Sequence, residues 1–483
     1  MAYAGQGMEQ NYELAYQYFS ECANQNAYAA YQAASMIDTG KIVESESKMH
    51  EYYKQAFAGF ATMEKKSPSD NLEYRIGCMY LEGKGVEKDE KIAEEYLSIS
   101  AGAGNIYSKN KLAMLYLKRG DVNRIPEIIE TLKEVAEKTD NIWSMYALGN
   151  IYSSEKYNCK DIELAVKWYK QAEKNGNEYI SYKLGKIYLN EQSQYYSLDK
   201  GIEHMQKAYE KGNMMAAYQL GKIYADKSKE CYDLEKAIDY YKEAAENENA
   251  LAAYQLGKIY LNENNGKRNI QEAIYYLKLA AKKDSQFATY QLGKVYYDEK
   301  YGLKNDTKAY HWFEKSAKEG NNRATYQMAK IDYEKQNYTN AAKLFQKVDD
   351  VYSHYYLGKI YLDESKGNPL YNPKKGLMYL KQASSEGNTF ASMAIGLSYL
   401  RGEGVKRDVK TAKDWLNLAS GQGNEYASEI LKKINSNHSG RPQIKIGVSM
   451  TTAISKMKKG LKSEWEKTKL QREHDRMIEN SLE

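Results

Sequence analysis

The feature that most constrains this chain is a heptapeptide that returns every 36 residues, with Tyr-Gln-Leu-Gly-Lys-Ile-Tyr at residues 254–260 as its clearest copy. Its central glycine, or an alanine in the same place, recurs at this interval at Gly77, Ala113, Gly149, Gly185, Gly221, Gly257, Gly293 and Ala329, and then less regularly at Gly358 and Gly396. A period between about 20 and 50 residues is typical of repeat proteins, in which each unit stacks only on its neighbours. The sequence therefore predicts a repeat architecture, and it predicts the fold more directly than the chemistry.

Each repeat contains two predicted helices. The heptapeptide lies on the first, and the second carries a pattern of small and aromatic residues such as Ala237, Tyr240, Tyr241 and Ala244. Spacings of three and four place these side chains on one face of a helix. Gly-Asn pairs such as Gly212-Asn213 separate many units, because glycine ends a helix and asparagine begins the next one. The 5 prolines of the chain agree with an all-helical protein.

The repeated glycine lies in the middle of a predicted helix, where glycine costs about 1 kcal/mol relative to alanine. Because this cost recurs in most units, we expect the missing side chain to allow the paired helices to approach closely. A larger residue at Gly257 is therefore expected to overpack the stack.

Composition excludes several classes of protein. The 4 cysteines are isolated, so we expect neither a disulfide framework nor a zinc site. The 6 histidines are too scattered for a metal motif, and the Gly-x-Gly loops lack the lysine and hydroxyl residue of a phosphate loop. No apolar run approaches the ~20 residues that span a bilayer. We predict a cytoplasmic protein without cofactor or metal that is not an enzyme.

Two of the repeats also carry a recognisable motif. Its residues are Gly83, Gly85, Val86, Asp89 and Ala93 in one unit, and Gly402, Gly404, Val405, Asp408, Ala412, Trp415 and Ala419 in another. This motif resembles the signature of Sel-one-like repeats, relatives of the tetratricopeptide repeats. The resemblance implies an all-α fold, a right-handed superhelical solenoid of antiparallel helix pairs that binds other proteins. It implies no shared catalytic residues.

The predicted organisation has four parts. Residues 1–70 match the repeats loosely, residues 71–435 form the solenoid, residues 436–447 are a linker, and residues 448–483 form a charged helical tail. The tail is basic, with ten lysine and arginine residues against six acidic ones from Arg441 onwards, whereas the rest of the chain is nearly neutral.

A partner-binding site is predicted from tyrosine and lysine residues four apart in the heptapeptide. The pairs are Tyr182 and Lys186, Tyr218 and Lys222, Tyr254 and Lys258, Tyr290 and Lys294, Tyr326 and Lys330, and Tyr355 and Lys359. Residues four apart share a helix face, and in Sel-one-like repeats this face lines a concave groove. One interpretation is a ladder of rings and cations for an extended acidic peptide. The other is that the tyrosines pack between helices and the lysines are merely solvated.

The basic tail has three interpretations: a solvated helix, a helix that binds a partner, or a segment that binds phosphates. Its candidate contact residues are Lys456, Lys458, Lys459, Lys462, Lys467, Lys469, Arg472 and Arg476. The tyrosine-rich repeats followed by Gln471-Arg472-Glu473-His474-Asp475 also resemble, more weakly, the C-terminal region of mobilisation relaxases from Gram-positive bacteria. That resemblance implies an accessory part of a DNA-mobilisation enzyme.

Two hypotheses about function follow. The first is a non-enzymatic scaffold or adaptor that binds a protein in its groove. The alternative is part of a conjugative mobilisation relaxase, with partners on the solenoid and DNA on the tail. Neither the partner nor the oligomeric state is predicted.

Overall fold

A computed structural model describes residues 2–5, 9–176, 179–283, 285–365 and 367–436. Within these residues the chain forms 24 α-helices and no β-strand, which confirms the predicted all-α solenoid of helix pairs. The chain divides into two compact units, Met1–Lys283 and Asp284–Glu483. The sequence did not suggest a division at this position, and each unit is described by itself below.

The described part of the first unit contains fifteen α-helices. They are α1 (Tyr12–Cys22), α2 (Ala27–Asp38), α3 (Glu46–Lys66), α4 (Asp70–Glu82), α5 (Glu90–Gly102), α6 (Ile106–Arg119), α7 (Ile125–Thr139), α8 (Ile142–Ser153), α9 (Ile162–Lys174), α10 (Ile180–Tyr188), α11 (Leu198–Glu210), α12 (Met214–Tyr224), α13 (Leu234–Glu246), α14 (Ala250–Leu261) and α15 (Ile270–Lys282).

The second unit contains nine α-helices in its described part. They are α16 (Gln286–Tyr297), α17 (Asp306–Lys318), α18 (Asn322–Glu334), α19 (Tyr338–Val348), α20 (Val351–Leu362), α21 (Pro373–Ser385), α22 (Thr389–Arg401), α23 (Val409–Gly421) and α24 (Glu425–Ser436). In both units the even-numbered helices from α4 to α22 carry the heptapeptide and are called first helices. Each packs most closely against the next helix, its second helix, except α6, which packs equally against α5 and α7.

The Gly-Asn pairs mark the helix boundaries, as predicted. Gly212 has a φ of 84°, a left-handed conformation that glycine adopts without strain. Asn213 then precedes α12, and its side chain accepts hydrogen bonds from the backbone N–H groups of Met215 and Ala216. Asn249 caps α14 in the same way. Because the first N–H groups of a helix have no partner within it, these asparagines fix where each repeat starts.

The repeated glycine lies against the second helix of its own repeat. A Cβ atom built on Gly257 would lie 2.6 Å from Cγ of Leu277, and one on Gly293 would lie 2.4 Å from Cδ1 of Phe313. Both distances are well below van der Waals contact. The expectation of close helix approach therefore agrees with the geometry in both units.

Candidate functional site

Each first helix leaves a narrow stripe of side chains exposed or half-buried. On α12 the stripe consists of Met215, Gln219 and Lys222, and Asp226 continues it two residues after the helix ends. These four residues are separated by four, three and four positions. The remaining sides of α12 are covered by its second helix, by the preceding helix and by the next first helix, α14. A partner that binds this part of the unit would meet these stripes. The stripes of α10, α12 and α14 together are called the first-helix face.

The predicted tyrosines of the first unit lie largely inside the stack. Tyr218 is 4% exposed and Tyr254 is 2% exposed, and Tyr182 is half-buried. Burial raises the pKa of Tyr182 and of Tyr218, although hydrogen bonds with Gln219 and Gln255 respectively act in the opposite direction. Each of these two tyrosines therefore lies near the first helix of the next repeat. The rings of the first unit thus have the packing role that the second interpretation describes.

The predicted lysines of the first unit are more accessible than the tyrosines. Lys186 and Lys222 are exposed. Lys258 is half-buried, and its Nζ lies 5.8 Å from the centre of the Tyr254 ring. The structure therefore separates the ring from the ammonium group most clearly at Tyr218 and Lys222, whereas the Lys258 ammonium group stays within cation–π range of the Tyr254 ring.

In the second unit the lysines of the same pairs lie closer to aromatic rings. Nζ of Lys359 lies 5.0 Å from the ring centre of Tyr333, 5.5 Å from that of Tyr355 and 5.4 Å from that of Tyr356. Nζ of Lys330 lies 5.6 Å from the ring centre of Tyr297. Each distance is within the range of a cation–π interaction.

The other predicted residues of the second unit are also buried or half-buried. Tyr290 is 7% exposed, and Lys294 is half-buried. Burial raises the pKa of Tyr326 and of Tyr355. In this unit both members of a pair therefore take part in packing.

The predicted contact residues of the basic tail, from Lys456 to Arg476, lie outside the described residues. The tail, its linker and the interpretations attached to them stay predictions.

Sequence reasoning missed a set of exposed apolar side chains. They lie six residues before the repeated glycine, at the start of successive first helices in the first unit. Four of them are well exposed: Tyr107 by 56%, Trp143 by 56%, Tyr179 by 65% and Met215 by 45%. Leu251, which is half-buried, continues the series on α14. The signal was available, because these residues recur with the same 36-residue period as the glycine.

The histidines that the described chain buries interact with side chains nearby. His204 stacks on Tyr188 with ring centres 5.4 Å apart, and its Nδ1 lies 3.3 Å from Oε1 of Glu173. Nε2 of His354 lies 2.8 Å from Oδ1 of Asp349. Over the described ranges, no group of three or more His, Cys, Asp and Glu residues could hold a metal ion. None of the helices described is long and apolar enough to cross a membrane.

Comparison with protein families finds a match to the Sel1 repeat. The matched residues are 1–26, 72–105, 144–177, 181–213, 215–249, 250–285, 286–321, 351–388 and 390–424. Together these nine segments cover more than half of the chain. The search of curated protein sequences found no match.

Solved structures show a similar fold. A protective antigen of uropathogenic Escherichia coli strains, which displays an SLR fold, is 19% identical with a TM-score of 0.56, over 87% of this chain and 90% of that one. A Sel1 repeat protein from Oxalobacter formigenes is 23% identical with a TM-score of 0.41, over 70% of this chain and 89% of that one. The repeat period, the paired helices and the nine matched segments agree, and the chain belongs to the Sel1 repeat family.

Proposed function

We propose that this protein is a scaffold that binds another protein, and that the first-helix face of the first unit is the main contact surface. The observation that supports this most strongly is the position of its lysines. Lys186, Lys222 and Lys258 lie on neighbouring first helices, outside the packed tyrosines. A repeat protein of this kind offers the same surface position once per unit, which suits a partner that extends across several units.

The charge of this face favours an acidic partner. Its stripes contain four lysines, Lys183, Lys186, Lys222 and Lys258, and one acidic residue, Asp226. The Asp226 carboxylate accepts hydrogen bonds from the backbone and the hydroxyl of Ser228, which lower its pKa. Single exposed ion pairs contribute only about 0.2–1 kcal/mol each. Useful affinity therefore requires several lysines to act on one partner.

The tyrosine–lysine pairs of the second unit form the second part of this proposal. Lys294, Lys330 and Lys359 are half-buried, and Lys330 and Lys359 lie against rings of their own unit. A partner must compete with these rings for the ammonium groups. We therefore expect the second unit to contribute less to the binding of an acidic partner than the first.

Charge reversal tests the proposal. Lys186, Lys222 and Lys258 are replaced by glutamate in the full chain, and proteins that co-purify with the tagged protein from its native host are quantified. The matched control replaces Lys167, Lys170 and Lys278, which are exposed on the second helices α9 and α15. Both variants change the net charge equally.

We expect the first-helix variant to lose at least one specific partner that the control retains, and raised salt to weaken the wild-type complex. If both variants retain the same partners, the first-helix face is not the contact surface.

A further inference from the structure

We propose that the partner segment held by the first-helix face is an acidic amphipathic α-helix, whose apolar side contacts Tyr179, Met215 and Leu251 while its carboxylates face the lysines. This inference rests on the proposed function and names the kind of partner that the surface fits. The three apolar residues are called the apolar strip.

The apolar strip lies beside the lysines on the same helices. Tyr179 precedes Lys186 by seven residues, and the same interval separates Met215 from Lys222 and Leu251 from Lys258. Because the rise of an α-helix is about 1.5 Å per residue, the two rows are about 10 Å apart along each first helix. The face thus has an apolar row and a cationic row that run across three repeats.

An open cavity of about 510 Å³ lies at the apolar row. Tyr179 and Met215 line it, together with Met214, Lys211, Asn247 and Asn249. The Asn249 side chain donates a hydrogen bond to Sδ of Met215 at 3.5 Å, which helps to fix that side chain beside the cavity. A cavity with an apolar wall and a few polar groups is the kind of site that takes an anchoring side chain of a partner.

The distance between the two rows favours a helix over an extended segment. An α-helix with its side chains is about 10–12 Å wide, so one that lies across the first helices reaches both rows at once. Paired β-strands lie only about 4.8 Å apart, so a single extended segment follows one row and leaves the other uncovered.

The spacing along the rows fits a helix as well. Residues i and i+7 of a helix share a face and are about 10.5 Å apart, close to the 8–10 Å between the axes of packed helices. A helix with apolar residues at i, i+3, i+4 and i+7 can therefore place one of them near each first helix in turn. Carboxylates along the adjoining edge of that helix complement the four lysines.

The test uses two labelled synthetic peptides of about 20 residues with identical leucine, alanine and glutamate content. In the helical peptide the leucines follow the i, i+3, i+4, i+7 pattern, and in the scrambled peptide they are spread around the helix. Fluorescence anisotropy measures the Kd of each for the full chain. Circular dichroism measures the helix content of the bound peptides.

Three variants of the full chain are compared with the wild type. Tyr179→Ser with Met215→Ser removes the two exposed residues of the apolar strip, where loss of folding is not expected. Tyr275→Ser is the matched control, because Tyr275 is 61% exposed on the second helix α15. The glutamate variant of Lys186, Lys222 and Lys258 tests the charge alone.

We expect the helical peptide to bind about tenfold more tightly than the scrambled one, equivalent to about 1.4 kcal/mol, and to gain helix content on binding. The double serine variant is expected to remove that difference, whereas Tyr275→Ser leaves it unchanged. If both peptides bind equally and the glutamate variant abolishes both, the charged surface stands and the amphipathic helix is wrong. The inference is also overturned if neither peptide binds. The same holds if the double serine variant leaves the difference in Kd unchanged.

Discussion

The same tyrosine–lysine motif has different surroundings in the two units. On α12 of the first unit, Lys222 is exposed and its neighbour in the stripe is Gln219. On α20 of the second unit, Lys359 is half-buried, and the residue at the position of Gln219 is Tyr356. The Tyr356 ring is one of the three that surround the Lys359 ammonium group.

This comparison shows that the residue at this stripe position changes the surroundings of Lys359. Glutamine at that position does not by itself keep the lysine exposed, because Gln327 holds it on α18 and Lys330 is nevertheless half-buried beside the Tyr297 ring. With tyrosine at that position the ring covers the lysine. A repeat can thus keep the heptapeptide and change from a charged surface to a packed one.

The largest effect is expected in alkaline solution. Burial raises the pKa of Tyr326 and Tyr333 well above the ordinary tyrosine value of 10.0. The folded state therefore holds these protons more tightly than the unfolded state. The stability they contribute is complete below about pH 10 and is lost as the pH rises through their raised pKa values.

We expect cooperative unfolding above pH 10, followed by circular dichroism and by tyrosinate absorbance. Replacing Tyr326 and Tyr333 with phenylalanine, which does not ionise, should move the midpoint to higher pH. Tyr218→Phe in the first unit should move it less, because burial raises the pKa of Tyr218 less strongly than those of Tyr326 and Tyr333. An equal or larger shift with Tyr218→Phe would contradict the difference drawn between the units.

The next largest effect concerns the repeated glycine, which both units share. Gly257→Leu and Gly293→Leu each place a side chain against the second helix, and we expect a loss of roughly 1–3 kcal/mol in the free energy of unfolding. Gly185→Ala is the control, since its Cβ would meet the flexible Met205 side chain at 3.0 Å. Urea unfolding measures all three. Equal stability of the leucine variants and the wild type would remove the close-approach explanation.

A smaller effect on the free energy of unfolding is expected to distinguish Lys359 from Lys222. Lys359→Ala removes the cation from three tyrosine rings and is expected to cost about 0.5–2 kcal/mol. Lys222→Ala, at an exposed position, is expected to stay within about 0.5 kcal/mol of the wild type. The same urea experiment compares them, and equal losses would show that the tyrosine rings do not stabilise the Lys359 ammonium group.

Much of the fold could be predicted because the repeat constrains it many times over. The position of Gly257 in the middle of a helix predicted that the paired helices approach closely. The structure places Leu277 of the second helix against it. Asn213 indicated a helix start, and it caps α12. Both interactions join residues of one repeat or of adjacent segments. Because such residues recur with the repeat, their positions can be read from the period of the sequence.

The site was harder to predict because exposure depends on residues from several repeats. Tyr254 and Lys258 share a helix face by spacing, yet the ring is buried and the ammonium group lies near the surface. Which side of a first helix stays open is decided by its second helix and by the first helix of the next repeat. The apolar residues at the helix starts, such as Trp143, were missed although they follow the same period.

The most direct test of the central claim is site-specific photo-crosslinking in the native host. A photoreactive amino acid replaces Gln219 on the first-helix face or Gln271, which is exposed on the second helix α15. We predict that crosslinks to a partner protein form from position 219 and not from position 271. Crosslinks that form equally from both positions, or from position 271 alone, would contradict the account.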